Sequence, residues 1–415
     1  MARICLIRQG KFPLDPRLVH QVEAMVDLGH EVDLICLRDR RQLRRERMGP
    51  VTVFRLPIPH RRGGWLSYLM EYAAFLLAAG VVVSWRHLRR HYAMVQINTL
   101  PDVLVFAAFV PRLLGARVLL DLVESMPEFV ATKFRVGLRH PAVRFTSWVE
   151  HASIRFADSA VTCTEPMREA FISRGAPAEK VAVVMNSYGL AYADDPSTPK
   201  VMKKPQDRSF TLICHGTIEE RYGLDTLLRA AALLRDEIPA LRVQIIGDGT
   251  FRPAILALRT ELGLEERASI SPGWLPMPAL LRAIAAADVG VVAIKRDICR
   301  DLVLCTKMFD FIGMHKPMVV SRTRSVEAYY DTSCLEMFTA DDPRDMAGAI
   351  RRLYADADHR RSLANEALRR SQSYRWQEQR ERYQSVIAAL VGQRLDRLDG
   401  ARADPDLLVD AAVGE

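Results

Sequence analysis

Short apolar runs alternate with helical patterns along most of the 415-residue chain. In the first half, runs typical of strands lie at 2–7, 31–37, 51–55, 93–97, 116–121, 159–163 and 180–185. Apolar residues recur at helical spacing at 16–28, 65–90, 101–114, 141–157 and 165–174. This alternation predicts β-α-β units and therefore a parallel sheet.

The pattern breaks between Tyr188 and Ser209, where the polar stretch DDPSTPKVMKKPQD predicts a linker. Strands then follow at 210–214, 242–246, 268–271, 289–294, 317–321 and 335–338, with helices at 225–235, 252–262, 278–287, 307–314, 325–330 and 343–355. We therefore expect an α/β fold with two Rossmann-like domains, 1–190 and 208–372, that face each other across a cleft. A further helix at 376–390 and a disordered tail at 392–415 complete the expected chain.

The composition narrows the range of partners and compartments. A net charge of +8 predicts an acidic partner, such as nucleic acid, anionic lipid or a phosphorylated small molecule. The densest basic run has no interleaved aromatic residues, which argues against nucleic acid and leaves a solvated loop or helix face as its alternative role. Its members are Arg38, Arg40, Arg41, Arg44, Arg45 and Arg47. The seven cysteines form no CxxC pair, and the first strand begins at Ala2, so we expect a reducing cytoplasm and no signal peptide.

The most apolar window runs from Trp65 to Trp85, with Glu71 as its only charge and arginines on both sides. Its length would just span a bilayer. A span would place the strands of one sheet in two compartments, so a helix lying in the membrane interface fits better. A long helix buried in the protein remains the other alternative.

The loop after the strand at 210–214 has the composition of an anion-binding loop. Gly216 and Gly223 let backbone amides approach a ligand, Asp225 is expected to cap the next helix, and Arg221 would face the same anion. Thr217 lies in this turn. A strand, a turn and a helix with two glycines also occur where nothing binds, so both alternatives stay open.

Other candidate residues also follow predicted strands. Lys307 and Asp310 lie three apart at a helix start, where a lysine can meet phosphate and a carboxylate can accept from ribose hydroxyls; a surface salt bridge is the alternative. Asp248 and Trp274 lie in glycine turns that bind a ligand or only turn the chain. In the first half, the positions where ligands of doubly wound sheets collect are Gly10, Lys11, Arg17 and Asn98. No GxGxxG appears, which argues against a nicotinamide or flavin cofactor.

The order of these segments resembles family 4 glycosyltransferases, retaining enzymes of the GT-B fold that use nucleotide-diphosphate sugars. The resemblance covers nearly the whole chain, including the segments FPLDPRLVHQVEAMVDLGHEV, LLDLVESMPEFVATKF, HGTIEERYGLD, IIGDG and TKMFDFIGMHKPMVVS. It implies that the second domain binds the sugar donor, that the first binds the acceptor, and that the last helix returns to the first domain.

Three residues match positions that bind the donor in this family. The resemblance makes Asp310 the acidic residue that binds ribose, Arg221 a diphosphate-binding residue and Lys307 the lysine before the ribose acid. Two departures stand out, since Leu302 replaces the first acid of the Glu-x7-Glu pattern and Tyr222 replaces a lysine next to Arg221.

A third departure concerns the reacting centre. Many relatives carry a histidine in the segment that here reads Asp121-Leu122-Val123-Glu124, and the side chain of Val123 can neither donate a hydrogen bond nor transfer a proton. Glu124, Glu128 and Lys133 are the candidates to shape this site, and the alternative is a loop that only packs, with Glu128 capping a helix after Pro127.

The sequence thus predicts a cytoplasmic glycosyltransferase, peripheral to the inner membrane face, that needs no metal or other cofactor because Arg221, Lys307 and helix-start amides offset the diphosphate charge. Its expected partners are a nucleotide-diphosphate sugar, a glycan or lipid-linked acceptor and an anionic membrane surface, without nucleic acid. A catalytically silent scaffold is the main alternative. An epimerase or phosphorylase on the same fold is a weaker one.

Overall fold

The structure is a computed structural model that describes residues 1–39, 41–58, 65–199 and 209–392, without the side chains of 65–68. The chain forms two compact units, Met1–Met185 with the residues from Gln379 onward, and Asn186–Glu378. The expected boundary at 190 falls within the three-residue-per-turn helix Tyr188–Ala193, which packs on a helix of the second unit. Most of the expected linker and all of the expected tail beyond Gly392 lie outside the described residues.

The described part of the first unit contains an eight-stranded sheet of order β3-β4-β2-β1-β5-β6-β7-β8. Its strands are β1 (Arg3–Lys11), β2 (Glu31–Leu37), β3 (Arg45–Met48), β4 (Val51–Leu56), β5 (Met94–Asn98), β6 (Arg117–Leu122), β7 (Ser159–Thr162) and β8 (Val181–Val183). The helices are α1 (Pro16–Asp27), α2 (Trp65–Arg90), α3 (Phe109–Leu113), α4 (Met126–Phe134), α5 (Pro141–Phe156) and α6 (Glu165–Ser173). The expected helix at 101–114 is split, because Asp102–Ala108 is a three-residue-per-turn helix that leads into α3.

All pairings in this sheet are parallel except that of β3 with β4. The parallel sheet predicted from the alternating pattern is therefore confirmed. Arg45 and Arg47, expected in a loop or helix, instead lie in the edge strand β3. An edge strand of four residues with outward arginines carries no apolar run, and such charges protect an edge from pairing with other chains.

The second unit repeats this architecture with a sheet of order β11-β10-β9-β12-β13-β14. Its strands are β9 (Phe210–His215), β10 (Leu241–Ile246), β11 (Ala268–Ile270), β12 (Val289–Val292), β13 (Met318–Ser321) and β14 (Glu336–Phe338). The helices are α7 (Leu224–Leu233), α8 (Arg252–Glu261), α9 (Met277–Ala286), α10 (Lys307–Gly313), α11 (Arg324–Glu327), α12 (Pro343–Ala355) and α13 (Ala357–Arg370). One apolar core joins β9, β10 and β12 to α7, α8 and α12.

The last described helix, α14 (Trp376–Val391), returns to the first unit from Gln379 onward. The amide of Met185 donates to Gln379 Oε1 at 3.0 Å, and Tyr383 Oη donates to Gln96 Oε1 at 2.6 Å. Both hydrogen bonds are buried, so they fix the helix to the sheet in addition to its apolar packing.

Helix α2 is long and apolar enough to cross a bilayer by length and composition, yet only 28% of its most apolar window is buried. The alternative of a fully buried helix is therefore wrong. A crossing is also incompatible with the sheet, because β1 before the helix pairs directly with β5 after it. Of the aromatic residues expected at the interface, Trp65 and Tyr68 have side chains outside the described part.

Candidate functional site

The loop after β9 is held against the start of α10. The amide of Gly216 donates to Ile246 O at 2.8 Å, and the amide of Ile218 donates to Asp248 O at 2.8 Å, which fixes the loop to the end of β10. Gly216 has a φ of +106°, and a Cβ there would lie 2.3 Å from Lys307 Cε. The positive φ favours glycine here, and a Cβ would displace the flexible end of Lys307 from its position across the loop.

Two cations converge on one aromatic ring in this site. Lys307 Nζ lies 4.0 Å from the centroid of the Tyr222 ring, and the Arg221 guanidinium carbon lies 5.3 Å from it. Tyr222 was recognised in the sequence only as a lost lysine, whereas in the structure it positions both remaining cations. The result is a compact positive region beside the turn at Gly216.

Asp310, one turn further along α10, lies beside His215. Its Oδ2 atom is 3.5 Å from His215 Nε2. Burial raises the pKa of Asp310 to about 7, and Lys307 counteracts part of this rise. Burial and Lys307 lower the pKa of His215 to about 3, so the imidazole is neutral at neutral pH.

The Asp310 carboxylate is therefore not compensated by a histidine cation. His215 Nε2 is also a buried polar atom without a hydrogen-bond partner among the described residues. A pair of ligand hydroxyls could donate to the carboxylate and engage the imidazole. His215 belongs to the predicted loop, but no pattern in the sequence predicts that its ring is buried against Asp310.

The other side of Asp310 is covered by Gly189. A Cβ on Gly189 would lie 2.2 Å from Asp310 Oδ1, so the backbone of Tyr188–Ala193 packs directly on the carboxylate. This contact desolvates Asp310 and explains why its pKa is raised. The expected linker thus forms one wall of the site.

The prediction that Asp225 caps α7 is wrong. The helix begins at Leu224 after Gly223, which has a φ of +60° and takes the capping position. Asp225 lies in the first turn and accepts from Lys295 Nζ at 2.9 Å. Because the chain must turn sharply before the helix, glycine is favoured at the cap, and the carboxylate forms an ion pair instead.

The remaining predicted donor residues lie at the same edge of the sheet. Thr217 is part of the turn, the exposed Asp248 follows β10, and Trp274, 61% exposed, follows β11. Asp248 Oδ1 accepts from the amide of Gly249 at 2.9 Å, which is local turn chemistry. No contact between the side chains of Asp248 or Trp274 and the Lys307 cluster is seen among the described residues.

In the first unit, Glu128 belongs to a buried ion-pair network. Its Oε1 accepts from Arg174 Nη1 at 2.6 Å, and its Oε2 accepts from the hydroxyl of Ser125. Arg174 Nε also donates to Glu150 Oε1 at 2.8 Å, and burial raises the pKa of Glu150 to about 7. These contacts favour the packing alternative for Glu128 over a catalytic role, since the carboxylate is occupied and buried.

Glu124 and Lys133 have different surroundings. Glu124 is half-buried just after β6 and has no hydrogen bond or ion pair with a described residue, so it stays a candidate for the reacting centre. Lys133 lies on α4 between aromatic rings, 5.5 Å from the Phe129 centroid and 6.0 Å from that of Phe134. The amide of Val123 donates to Thr99 Oγ1 at 3.2 Å, which holds the loop to β5.

The predicted acceptor residues are only partly available. Arg17 is buried and donates to both oxygens of Asp121 at 2.8 and 2.6 Å. Asn98 is buried too, and its Nδ2 donates to Gln21 Oε1 at 2.7 Å. Both side chains therefore stabilise the sheet, and a role at the acceptor stays a prediction.

Gly10 and Lys11, the other two predicted acceptor residues, end β1. Lys11 is exposed and pairs with Asp39 at 2.6 Å. Both residues lie near the carboxyl edge of the sheet, where ligands of such folds bind.

Comparisons with known proteins assign both halves of the chain. Residues 14–187 match the glycosyl transferase 4-like domain, and residues 209–356 match the glycosyl transferases group 1 family. A D-inositol 3-phosphate glycosyltransferase of Thermobispora bispora is 28% identical over 260 residues, which cover 57% of this chain and 56% of that protein. Its counterpart in Thermomonospora curvata is 30% identical over 182 residues, which cover 41% of each chain. The matched regions thus span about half the length of these relatives.

Solved structures share the fold at low identity. Sucrose-phosphate synthase from Thermosynechococcus elongatus has a TM-score of 0.73 at 17% identity, covering 94% of this chain and 100% of that one. Anabaena HepE in complex with UDP and glucose has a TM-score of 0.69 at 16% identity over the same shares. The two family matches show that the chain belongs to the family 4 glycosyltransferases, and the likeness to these solved structures shows that it has the GT-B fold.

Proposed function

We propose that this enzyme transfers a sugar from a nucleotide diphosphate to a lipid-linked or glycan acceptor, with retention of configuration. The observation that carries the proposal is the cluster of Arg221, Lys307, Asp310 and His215, held together by Tyr222 and Gly216. Its cations suit a diphosphate, and its carboxylate suits the two hydroxyls of a ribose.

Several structural neighbours were solved with ligands that agree with this chemistry. Anabaena HepE was solved with UDP-glucose, and a trehalose-6-phosphate protein of E. coli was solved with UDP-2-fluoro glucose. In this chain we assign the diphosphate to Arg221 and Lys307, and the ribose to Asp310 with His215.

The residues of the site suggest how the chain lowers the barrier to transfer. As the bond to the diphosphate breaks, negative charge grows on the leaving group, and Lys307 and Arg221 lie where they oppose it. We propose that no metal is needed for this step. Addition of EDTA should then leave turnover unchanged, and a loss that Mg²⁺ restores would contradict the proposal.

Val123 favours a second candidate, a scaffold that binds nucleotide sugars without turning them over. Retaining transfer starts from a good leaving group. Stabilisation of the leaving charge and orientation of the acceptor can therefore lower most of the barrier without an imidazole. We therefore keep transfer as the function, with Glu124 as the group closest to the missing histidine in sequence.

A panel of nucleotide sugars, screened by thermal shift and then assayed for hydrolysis and transfer, tests both candidates. Asp310→Ala should weaken binding of the active nucleotide by about 1.5–3 kcal/mol, the range for hydrogen bonds to a charged group. The matched control is Asp236→Ala, an exposed carboxylate that follows α7. Equal affinities for wild type and Asp310→Ala by calorimetry would remove Asp310 from the site.

We also propose a cytoplasmic location on the inner membrane face, with α2 lying in the interface. The exposed apolar face of this helix and the arginines near its end support the assignment.

A further inference from the structure

Helix α2 has two apolar faces, of which the sheet and neighbouring helices cover one. Phe75, Ala79 and Val83 recur every fourth residue and are fully buried. On the opposite face, Leu77 and Val81 are each 70% exposed. A helix that is apolar all round is normally buried on both faces or placed in lipid, so the outer face lacks its expected cover.

The neighbouring helices extend this apolar surface. Helix α2 packs against Asp102–Ala108 and α3, α5 packs against the same segment, and α4 packs on α5. Phe109 and Leu113 of α3 are exposed, as are Phe145 and Trp148 of α5, whose rings stack at 6.0 Å. With the exposed Phe134 of α4, four adjoining helices therefore present large apolar side chains to their surroundings.

A cavity of about 410 Å³ opens within this layer. Its wall includes Leu69 and Tyr72 of α2, Met126, Phe129 and Lys133 of α4, and Thr146 of α5. Leu100 and Pro101, just after β5, also line it, so it lies beside the carboxyl end of the sheet, where the ligands of such folds bind. Its volume falls within the range of small-molecule sites, about 300–1,000 Å³.

The charges around the layer are basic. Arg89, Arg139 and Arg144 are exposed, whereas the carboxylates of Glu71 and Glu128 are buried. A bilayer with anionic headgroups complements such a surface. A second copy of this chain does not, because it would bring two basic faces together.

We propose that the cavity holds the hydrocarbon chain of a phosphate-bearing lipid drawn from the membrane, with Lys133 at its wall meeting the phosphate. The lipid is then the anchor of the acceptor, and this identification rests on the proposed transferase function. Binding of the chain in the cavity does not depend on turnover and is tested without it.

The test uses octyl, decyl and dodecyl phosphate with the full chain in calorimetry, each below its micelle-forming concentration. Affinity should rise about three- to fourfold per methylene, the value for complete burial, and level off once the cavity is filled. Inorganic phosphate should not bind measurably, and dodecyl maltoside should bind more weakly than dodecyl phosphate. A rise that continues with chain length at the same slope would mean adsorption to the outer surface and would overturn the proposal.

Two variants separate the chain from the headgroup. Thr146→Trp fills the cavity and should weaken dodecyl phosphate at least tenfold. Lys133→Met should weaken dodecyl phosphate about fivefold, as for a partly exposed ion pair, and leave dodecyl maltoside unchanged. Arg144→Met, a charge on the same layer that does not line the cavity, is the matched control. Unchanged affinity for dodecyl phosphate in Thr146→Trp, or equal losses in Lys133→Met and Arg144→Met, would overturn the proposal.

Two further measurements identify other outcomes. Thr146→Trp and Lys133→Met should keep wild-type affinity for the nucleotide. A wild type that binds alkyl phosphate but no nucleotide sugar would contradict the proposed function and leave the lipid site standing. Sedimentation of lipid-free protein should show a monomer. A dimer that Phe145→Ser dissolves, and that dodecyl phosphate leaves intact, would assign the surface to a second copy and refute the lipid site.

Discussion

Replacing Asp310 by asparagine is predicted to stabilise the ligand-free protein and to weaken nucleotide binding. The substitution keeps the shape of the side chain and removes its charge. Asp310 is packed by Gly189 and lies 3.5 Å from a neutral imidazole, so its ionised form is poorly compensated. Lys307 offsets only part of this penalty.

The magnitude follows from the pKa of about 7 in the folded protein, against an ordinary value of 3.8. Each pKa unit corresponds to about 1.4 kcal/mol, so about three units give an upper limit of about 4 kcal/mol. The side chain is 27% exposed, which lets solvent screen the charge and lowers our expectation to about 2–4 kcal/mol.

The direction with pH is fixed by the raised pKa. Below about pH 4 the carboxyl is protonated in both states and carries no penalty. Between about pH 4 and 7 the unfolded state has lost its proton while the folded state keeps it, so stability falls across this range and the full penalty remains above about pH 7. The asparagine variant should therefore gain most above about pH 7 and little near pH 4.

Calorimetric unfolding of the full chain at a series of pH values measures this gain. For a unit of this size, 1 kcal/mol corresponds to about 2–4 °C in the midpoint of unfolding. Asp248→Asn, which changes an exposed carboxylate, should show no such pH-dependent gain. A destabilised Asp310→Asn, or a gain of equal size at acidic and basic pH, would refute the claim that the carboxylate is desolvated and poorly compensated.

Three further predictions concern the first unit. Leu77→Glu with Val81→Glu should reduce binding to phosphatidylglycerol vesicles without unfolding the chain, and wild-type binding should fall with salt, since surface attraction is screened over about 8–10 Å. Val123→His should leave transfer within a few fold of wild type; transfer seen only in the variant would favour the scaffold. Glu124→Gln should lower turnover at unchanged stability. Glu128→Gln should instead lower the free energy of unfolding in urea by about 2–3 kcal/mol and keep the activity of the folded fraction. The reverse result would exchange the roles of the two residues.

The fold could be predicted because its strands and helices are marked by patterns among residues that are close in sequence. Buried parallel strands are continuous apolar runs, and the helices between them show the expected spacing, so most elements lie within two residues of their predicted bounds. Two of the missed elements lack these signals. The strand β3 has no apolar run, and α13 is polar, with Leu363 and Ala364 among its few buried residues.

The site could be predicted only where its residues are close in sequence. Lys307 and Asp310 are three apart on one helix, and Arg221 shares a loop with Gly216, so their proximity follows from spacing. The sequence alone favours a functional role for Arg17 and Glu128, because their ion-pair partners are far away along the chain. Asp121 lies 104 residues from Arg17, and Arg174 lies 46 residues from Glu128. No periodicity reports such long-range pairs.

The absence of a second acid from the donor site has a physical consequence. Leu302, at the first position of the family's paired acids, is 5% exposed, so a carboxylate there would be desolvated as Asp310 is. Two buried carboxylates near a leaving diphosphate would raise each other's pKa and oppose the charge that develops during transfer. With leucine at 302, Lys307 neutralises the charge of one carboxylate, that of Asp310, and not of two. We therefore expect the residual positive charge of Lys307 and Arg221 to be available to the diphosphate, in line with the proposal that transfer needs no metal.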